Sequence, residues 1–295
     1  MALTLSEAAK LSNDVLLQGV IETIVKDSPV LQQMPFIEIV GNGLTYNREA
    51  TLGTAAFYAV GDTWAESVGT FEQLTAVLKI LGGDADVDNY VKATRSNIQD
   101  IEAAVIEMKA KAVRQKFEDN FIYGTTTTYG GATGDANAFD GLRKLIGVAG
   151  ADAQVVTMGG TGATLTLAKL EELIDTIRGG KPDLLLMSRR SRRKINALVR
   201  ATGSYMETVK GEFGEFIQLY NGIPIGVSDF QLDTHVLTAG YETAITGGTC
   251  SVIWALAFGE GAMSGITGPG GLTVERIGSL ETKDATRTRI KWYCA

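Results

Sequence analysis

Apolar residues recur along this chain at two periods, near 3.6 and near 2, and the switches between them mark its elements. Val15, Leu16, Val20, Ile21, Ile24 and Val25 fall in paired positions at helical spacing. Thr4 and Glu7 stand at capping-box spacing before them, and Ser12 or Asn13 offers a second start. Asp27-Ser28-Pro29 ends this helix, because the residue before a proline is pushed out of the α region. So apolar a terminal helix needs a surface to dock on, either the chain's own body or a neighbouring copy. Phe36, Ile37, Ile39 and Val40 then lead into the turn signal Gly41-Asn42-Gly43, and Leu44-Thr45-Tyr46 resumes an extended pattern. From Asn47 to Thr70 the chain is rich in Gly, Ala and Thr and carries Phe57, Tyr58 and Trp64, with too few large aliphatic residues for a core. A second extended run from Leu74 to Leu81 balances the first, so the segment predicts a long β-hairpin. A loop of about thirty residues is unusual in a compact domain unless it has a function, and this one reads as an arm that reaches across a neighbour.

The longest helix is expected next. Ser96 and Gln99 form a capping box, and Asp100 complements the helix dipole. Ile98, Ile101, Val105, Met108 and Ala112 trace one stripe, Glu107 and Lys111 form an i,i+4 pair, and the helix runs to about Asn120 before Gly124. Such a helix is about 35 Å long. Residues 125–141 are turn-rich and form a plausible boundary. Beyond them Thr166 caps a helix with Leu167, Leu170, Leu173, Ile174 and Ile177 on one face, closed by Gly179, Gly180 and Pro182. Leu184 to Met187 is a short buried strand, and Ser188 opens a helix bearing Ile195, Leu198 and Val199. Phe216–Tyr220 and Ile223–Val227 flank Asn221-Gly222, a type I′ hairpin signal. Val252 to Phe258, Leu272 to Ile277 and Arg287 to Cys294 complete the strands, the last two around the polar connection 281–284. The fold class is α+β.

Composition narrows the function. The chain has 295 residues, 45% of them hydrophobic, which is ample for a core. No apolar run approaches the ~20 residues of a membrane-spanning helix, and the N-terminus lacks a signal-peptide pattern. A protein made and used in the cytoplasm is expected. The net charge of −7 argues against a general nucleic-acid binder and suits a container that encloses DNA without gripping it.

Candidate chemistry is sparse. Cys250 and Cys294 read as reduced thiols and His235 as a structural histidine, too few ligands together for a His/Cys metal cluster. The loop from Gly159 to Gly162 lacks the remaining features of a nucleotide-binding turn. Asp84, Asp86 and Asp88 alternate on one side of a strand end, where a solvent-facing edge is a better reading than a weak Ca²⁺ or Mg²⁺ site. The basic cluster Arg189, Arg190, Arg192, Arg193, Lys194 and Arg200 reads as a solvated helix face, with phosphates or an acidic face of a neighbouring subunit as further partners. No nucleophile elbow is present. No catalytic, cofactor-binding or metal-ligating residue is assigned, and the chain does not read as an enzyme.

The order of these parts, with the phrases VIETIVKDSPVLQQMPF, LTYNREATLG, RSNIQDIEAAVIEMKAKAVRQKFEDNFIYG and ETKDATRTRIKWYCA, resembles the major capsid protein of tailed bacteriophages over essentially the whole chain. That fold is shared with herpesvirus capsid floors and encapsulins. The resemblance implies an N-terminal arm at 1–34 and an extended loop (E-loop) with flanking strands at 35–82. A peripheral domain with a spine helix would span 83–140, an axial α/β domain 141–269, and strands at 270–295 would return to the peripheral domain. It implies self-assembly as hexamers and pentamers into an icosahedral virion shell around double-stranded DNA, put together in the host bacterial cytoplasm. Separate scaffolding, portal and decoration proteins are possible partners, and no membrane is involved. The chain starts at the arm, so scaffolding is expected to be separate or already removed. Some relatives weld their subunits through a lysine on the E-loop, but from Ile37 to Leu78 there is no lysine, which implies a non-covalent shell. The alternatives are an encapsulin-like compartment around a cargo enzyme, a tail or decoration protein, and an α/β enzyme using the Gly159–Gly162 loop.

Overall fold

The computed structural model describes residues 15–95, 101–129, 132–146, 154–159, 162–177, 180–211, 214–236, 248–259 and 261–295. Helix α1 (Val15–Val25) turns at Asp27 into the short α2 (Pro29–Gln33). Ser28 caps α2 by accepting from the Leu31 N–H, and Pro29 starts it with its φ already helical. Strand β1 (Phe36–Glu38) leads to the hairpin β2 (Gly43–Thr51) and β3 (Thr70–Val77). Next come β4 (Lys79–Asp88), α3 (Asn89–Arg95), the spine helix α4 (Ile101–Tyr123) and α5 (Leu142–Leu145). The chain continues through α6 (Leu167–Asp175), β5 (Leu184–Met187), α7 (Arg189–Ala201), β6 (Glu207–Lys210), β7 (Phe216–Tyr220) and β8 (Ile223–Val227). It ends with β9 (His235–Val236), β10 (Thr249–Cys250), β11 (Ile253–Leu256), β12 (Gly265–Ser279) and β13 (Ala285–Cys294). The expected caps at Thr4, Glu7, Ser12, Asn13, Ser96 and Gln99, with Ile98 and Asp100, lie outside the described residues.

Two sheets organise the body. In the first, order β1-β12-β13-β4, β1 runs parallel to β12 and the other pairs are antiparallel. The second has order β11-β5-β8-β7-β6. Its β7–β8 turn is the expected hairpin, with Asn221 at φ 52° and Gly222 at φ 79°, the two positive values of a type I′ turn. Alternation along β5 serves two cores. Leu184 and Leu186 face one shared with α1, α2, α4 and the first sheet, while Leu185 and Met187 face another with Leu170 and Ile174 of α6 and Ile195 and Val199 of α7. A strand covered on both faces has to be apolar throughout, as this one is.

Aromatic packing ties the ends of the chain to the spine. Trp292, fully buried, lies with its ring centroid 4.8 Å from Phe117 and 5.4 Å from Phe36. Phe139 adds a ring 5.5 Å from Phe117, so the end of the 125–141 segment packs against the core. Asp140 staples that segment by accepting from the Thr126 N–H and hydroxyl and from Lys144.

Several expectations need correction. The buried stripe of α4 is Ile106, Ala110, Val113, Phe117 and Phe121, rotated by about 100° from Ile101, Val105, Met108 and Ala112; Met108 is 70% exposed. The helix carries alanines and aliphatics on both faces, and the tertiary partners select which is covered. The N-terminal helix docks on its own chain, burying Val20, Ile21, Ile24 and Val25 against α4. The run Leu74–Leu81 divides at Leu78, where the chain leaves the hairpin for the first sheet. Strand β12 begins at Gly265, ahead of Leu272, because its first residues pair with β1. Gly270 and Gly271, at φ 78° and 58°, absorb the register shift between Thr267 and Leu272.

Candidate assembly surfaces

The hairpin β2–β3 forms a sheet of its own. Its base is braced by the Leu78 N–H donating to Asn42 O at 2.9 Å, and its register by Thr45–Thr75 and Thr51–Thr70 hydroxyl contacts of 3.2 and 2.6 Å and an Arg48–Glu72 ion pair of 2.7 Å. A two-stranded ribbon is marginal by itself in water, so these cross-strand pairs matter. The tip is also ordered. The Tyr58 and Trp64 rings stack at 4.5 Å, and the Tyr58 hydroxyl accepts from the Ala65 N–H. The Ala59–Asp62 turn places Gly61 at φ 96°, and the Asp62 carboxylate accepts from the Ala59 N–H. Yet Phe57 and Val60 are fully exposed, Trp64 is 76% exposed and Phe71 75%. A preformed tip that leaves large apolar side chains in water has the composition of a binding surface.

Between hairpin and body lies a groove of about 2730 Å³. Leu44, Tyr46 and Leu74 line the hairpin side, and Leu165, Leu173 and Ile253 are among the residues opposite. Arg190, Arg193 and Lys194 of α7 reach the same groove. They belong to the expected basic cluster and have no ion-pair partner among the described residues. Arg189 instead pairs with Asp229 at 2.7 Å, Arg192 is half-buried, and Arg200 is exposed in the last turn.

The aspartates on β4 are held by the neighbouring strand. Asp84 faces Arg289 and Asp86 faces Arg287 across the β4–β13 register, each in a two-bond contact of 2.6–2.9 Å. The Arg289 and Arg287 guanidinium groups hold these carboxyls below the usual range. Asp88 turns to other work and accepts from the Tyr90 and Val91 N–H groups at the start of α3. Among the described residues no cluster of His, Cys, Asp or Glu could hold a metal. Gly159 and Gly162 stand at φ 80° and 82°, with Gly162 close to the Cys250 side chain; Gly160 and Thr161 lie outside the described residues. His235 is buried and stacks on Tyr123 at 5.6 Å, as a structural histidine does. Cys294 is buried, which pushes its thiol up to about 12, whereas Cys250 is only half-buried. Sequence reading passed over Glu118, a carboxylate inside the buried face of α4.

Two sheets braced by a spine helix carry an uncovered hairpin and an open groove. The SU10 major capsid protein family matches residues 26–245, and the chain belongs to it: it is a major capsid protein, a structural component of the virion capsid. Solved structures share the fold. The SrpI encapsulin of Synechococcus elongatus PCC 7942 aligns with a TM-score of 0.63 at 16% identity, covering 100% of this chain and 91% of its own. A chain of Mycobacterium phage Ogopogo gives 0.61 at 14% identity, covering 91% and 87%, and one of Microbacterium phage Oxtober96 gives 0.60 at 15%, covering 91% and 84%. No curated protein matches the chain by sequence.

Proposed function

We propose that this capsid protein assembles as hexamers and pentamers into an icosahedral shell around double-stranded DNA, in the host bacterial cytoplasm, and performs no catalysis. The observation that carries the reading is the hairpin, ordered at its tip while Phe57, Val60 and Trp64 stand in water. Its own body offers it no cover, and a neighbouring copy does. Many weak copies of one contact then sum to a stable shell. In this reading residues 1–34 are the arm, 35–82 the E-loop region, 83–140 with 270–295 the peripheral domain and 141–269 the axial domain. Portal and decoration proteins would be further partners, and scaffolding would be separate or already removed. Without a lysine between Ile37 and Leu78, the subunits interlock without covalent links. Negative-stain microscopy of the purified protein tests assembly: closed particles or five- and six-fold rings are expected, and a persistent compact monomer under assembly conditions overturns the reading. Denaturing electrophoresis of particles should give one monomer band; a ladder that survives reduction refutes the non-covalent shell. The full-length likeness to an encapsulin supports a second reading, a compartment around a cargo enzyme. Nucleic-acid absorbance against co-purifying protein separates the two.

A further inference from the structure

The groove beside α7 and the tip of the hairpin are opposite in charge and alike in apolar content. Arg190, Arg193 and Lys194 stand three and four residues apart on one face of α7, all exposed. Arg190 lies in the first turn, where the helix dipole favours carboxylates, and α7 has none there. Cations at that end cost the helix some stability, a local conflict of the kind found where residues serve a contact. Among the side chains along the groove, cations outnumber carboxylates two to one, in a chain whose net charge is −7. Leu44, Tyr46, Leu165 and Leu173 supply apolar wall between them. The tip has the reverse character. Between Ala50 and Phe71 the only charged residues are Asp62 and Glu66, both exposed, on either side of Trp64. Asp62 accepts from the Ala59 N–H, and Glu66 has no ion-pair partner among the described residues. The tip does not fill its own groove: Ala50 and Glu72 are the lining residues nearest to it, and residues 51–71 lie outside the lining.

We propose that the groove receives the hairpin tip of a second copy of this chain, whose Asp62 and Glu66 meet Arg190, Arg193 and Lys194 while its Phe57, Val60 and Trp64 enter between the apolar walls. This docking rests on the shell reading and specifies the contact that joins neighbours within a ring. Arginine suits a carboxylate because its planar fork can bond both oxygens, and an arginine over a tryptophan face gains a cation–π attraction. Tip and groove each leave water with a partner of the complementary kind. The hairpin is itself one wall of the groove, so a seated tip also covers Tyr46, which is 46% exposed. Tip and groove are different surfaces of one copy, so the contact is heterologous. It runs head to tail and closes into a ring where the rotation allows.

Charge reversal in the purified full chain tests the docking. Arg190→Glu with Arg193→Glu and Lys194→Glu reverses the groove. Asp62→Asn with Glu66→Lys reverses the tip and keeps an acceptor for the Ala59 N–H. All five side chains are exposed, so the dilute monomers should melt as wild type does. Each variant alone should need at least about tenfold more protein to form rings in negative stain, because like charges then meet. Both sets in one chain should restore assembly. An equal mixture of the two variants should give six-fold rings of alternating copies and no five-fold rings, since only an even ring can alternate. A groove variant that assembles as wild type does, or a combined chain or mixture that fails to assemble, overturns the docking. Rings that persist while particles lose nucleic acid assign α7 to the enclosed polymer and overturn it as well. Should the groove variant misfold, the tip variant alone decides, with unaltered rings overturning the contact. Wild-type protein that forms no rings at all overturns the shell reading, and the docking with it.

Discussion

Trp292→Ala tests whether the aromatic nucleus holds the two ends of the chain on the spine helix. The side chain is fully buried, stacks at 4.8 Å on Phe117, meets Phe36 in a tilted contact at 5.4 Å, and donates from Nε1 to the Thr267 hydroxyl at 3.2 Å. Truncating a buried aromatic to alanine costs about 3–5 kcal/mol, including the cavity left behind. The hydrogen bond adds about 1 kcal/mol, reduced here because Thr267 Oγ1 keeps its contact with Tyr293 O. A total near 4 kcal/mol is a large share of the ~5–15 kcal/mol that domains possess, so the variant should sit near the folding threshold. Trp292→Phe retains a ring and should lose about 1–2 kcal/mol, mainly the hydrogen bond and part of the buried area. Urea unfolding of dilute, unassembled protein, followed by far-UV circular dichroism, gives both values from midpoints at constant slope. A double-mutant cycle with Phe117→Leu should return about 0.5–1.5 kcal/mol of coupling for the stacked pair. A loss under about 1 kcal/mol for the alanine variant, or no coupling to Phe117, would refute the nucleus.

Phe57→Ser combined with Val60→Ser should leave monomer stability within about 0.5 kcal/mol, because both side chains are fully exposed, yet abolish closed particles by electron microscopy; unaltered assembly refutes the hairpin's role. Asp84→Asn with Asp86→Asn should flatten the acid limb of a melting-temperature profile. Their folded values lie below the unfolded ones, so this stabilisation is present at neutral pH and disappears as pH falls through the depressed range. Gly226→Ala should cost about 1–3 kcal/mol in the same urea assay through overpacking, since its Cβ would meet Pro29 at 2.9 Å and a Leu184 methyl at 3.0 Å.

Local chemistry was legible without coordinates wherever one short segment contained the whole cause. Ser188 and Thr166 cap their helices, Asn221-Gly222 turns its hairpin, and Asp27-Ser28-Pro29 ends the first helix, although the short helix that Pro29 starts was not legible. The hairpin 43–77 was legible too, because weak apolar content between two strands is a statement about composition. The register of the spine helix was not. Stripes one residue apart both recur at steps of three and four, and only the sheets and α1 decide which is buried. Asp84 and Asp86 do lie on an edge strand, but only the fold shows that β13 sets Arg289 and Arg287 against them from some two hundred residues away. Glu118 was hidden by its type, since a carboxylate on a long helix is normally solvated. The sequence by itself determined the longer helices and strands, the caps at Thr166 and Ser188, the Asn221-Gly222 turn and the segment left without a core, because those depend on neighbours along the chain. The tertiary structure alone decided which helix face is covered, which charges meet and where a carboxyl is shut away from water, because those depend on neighbours in space.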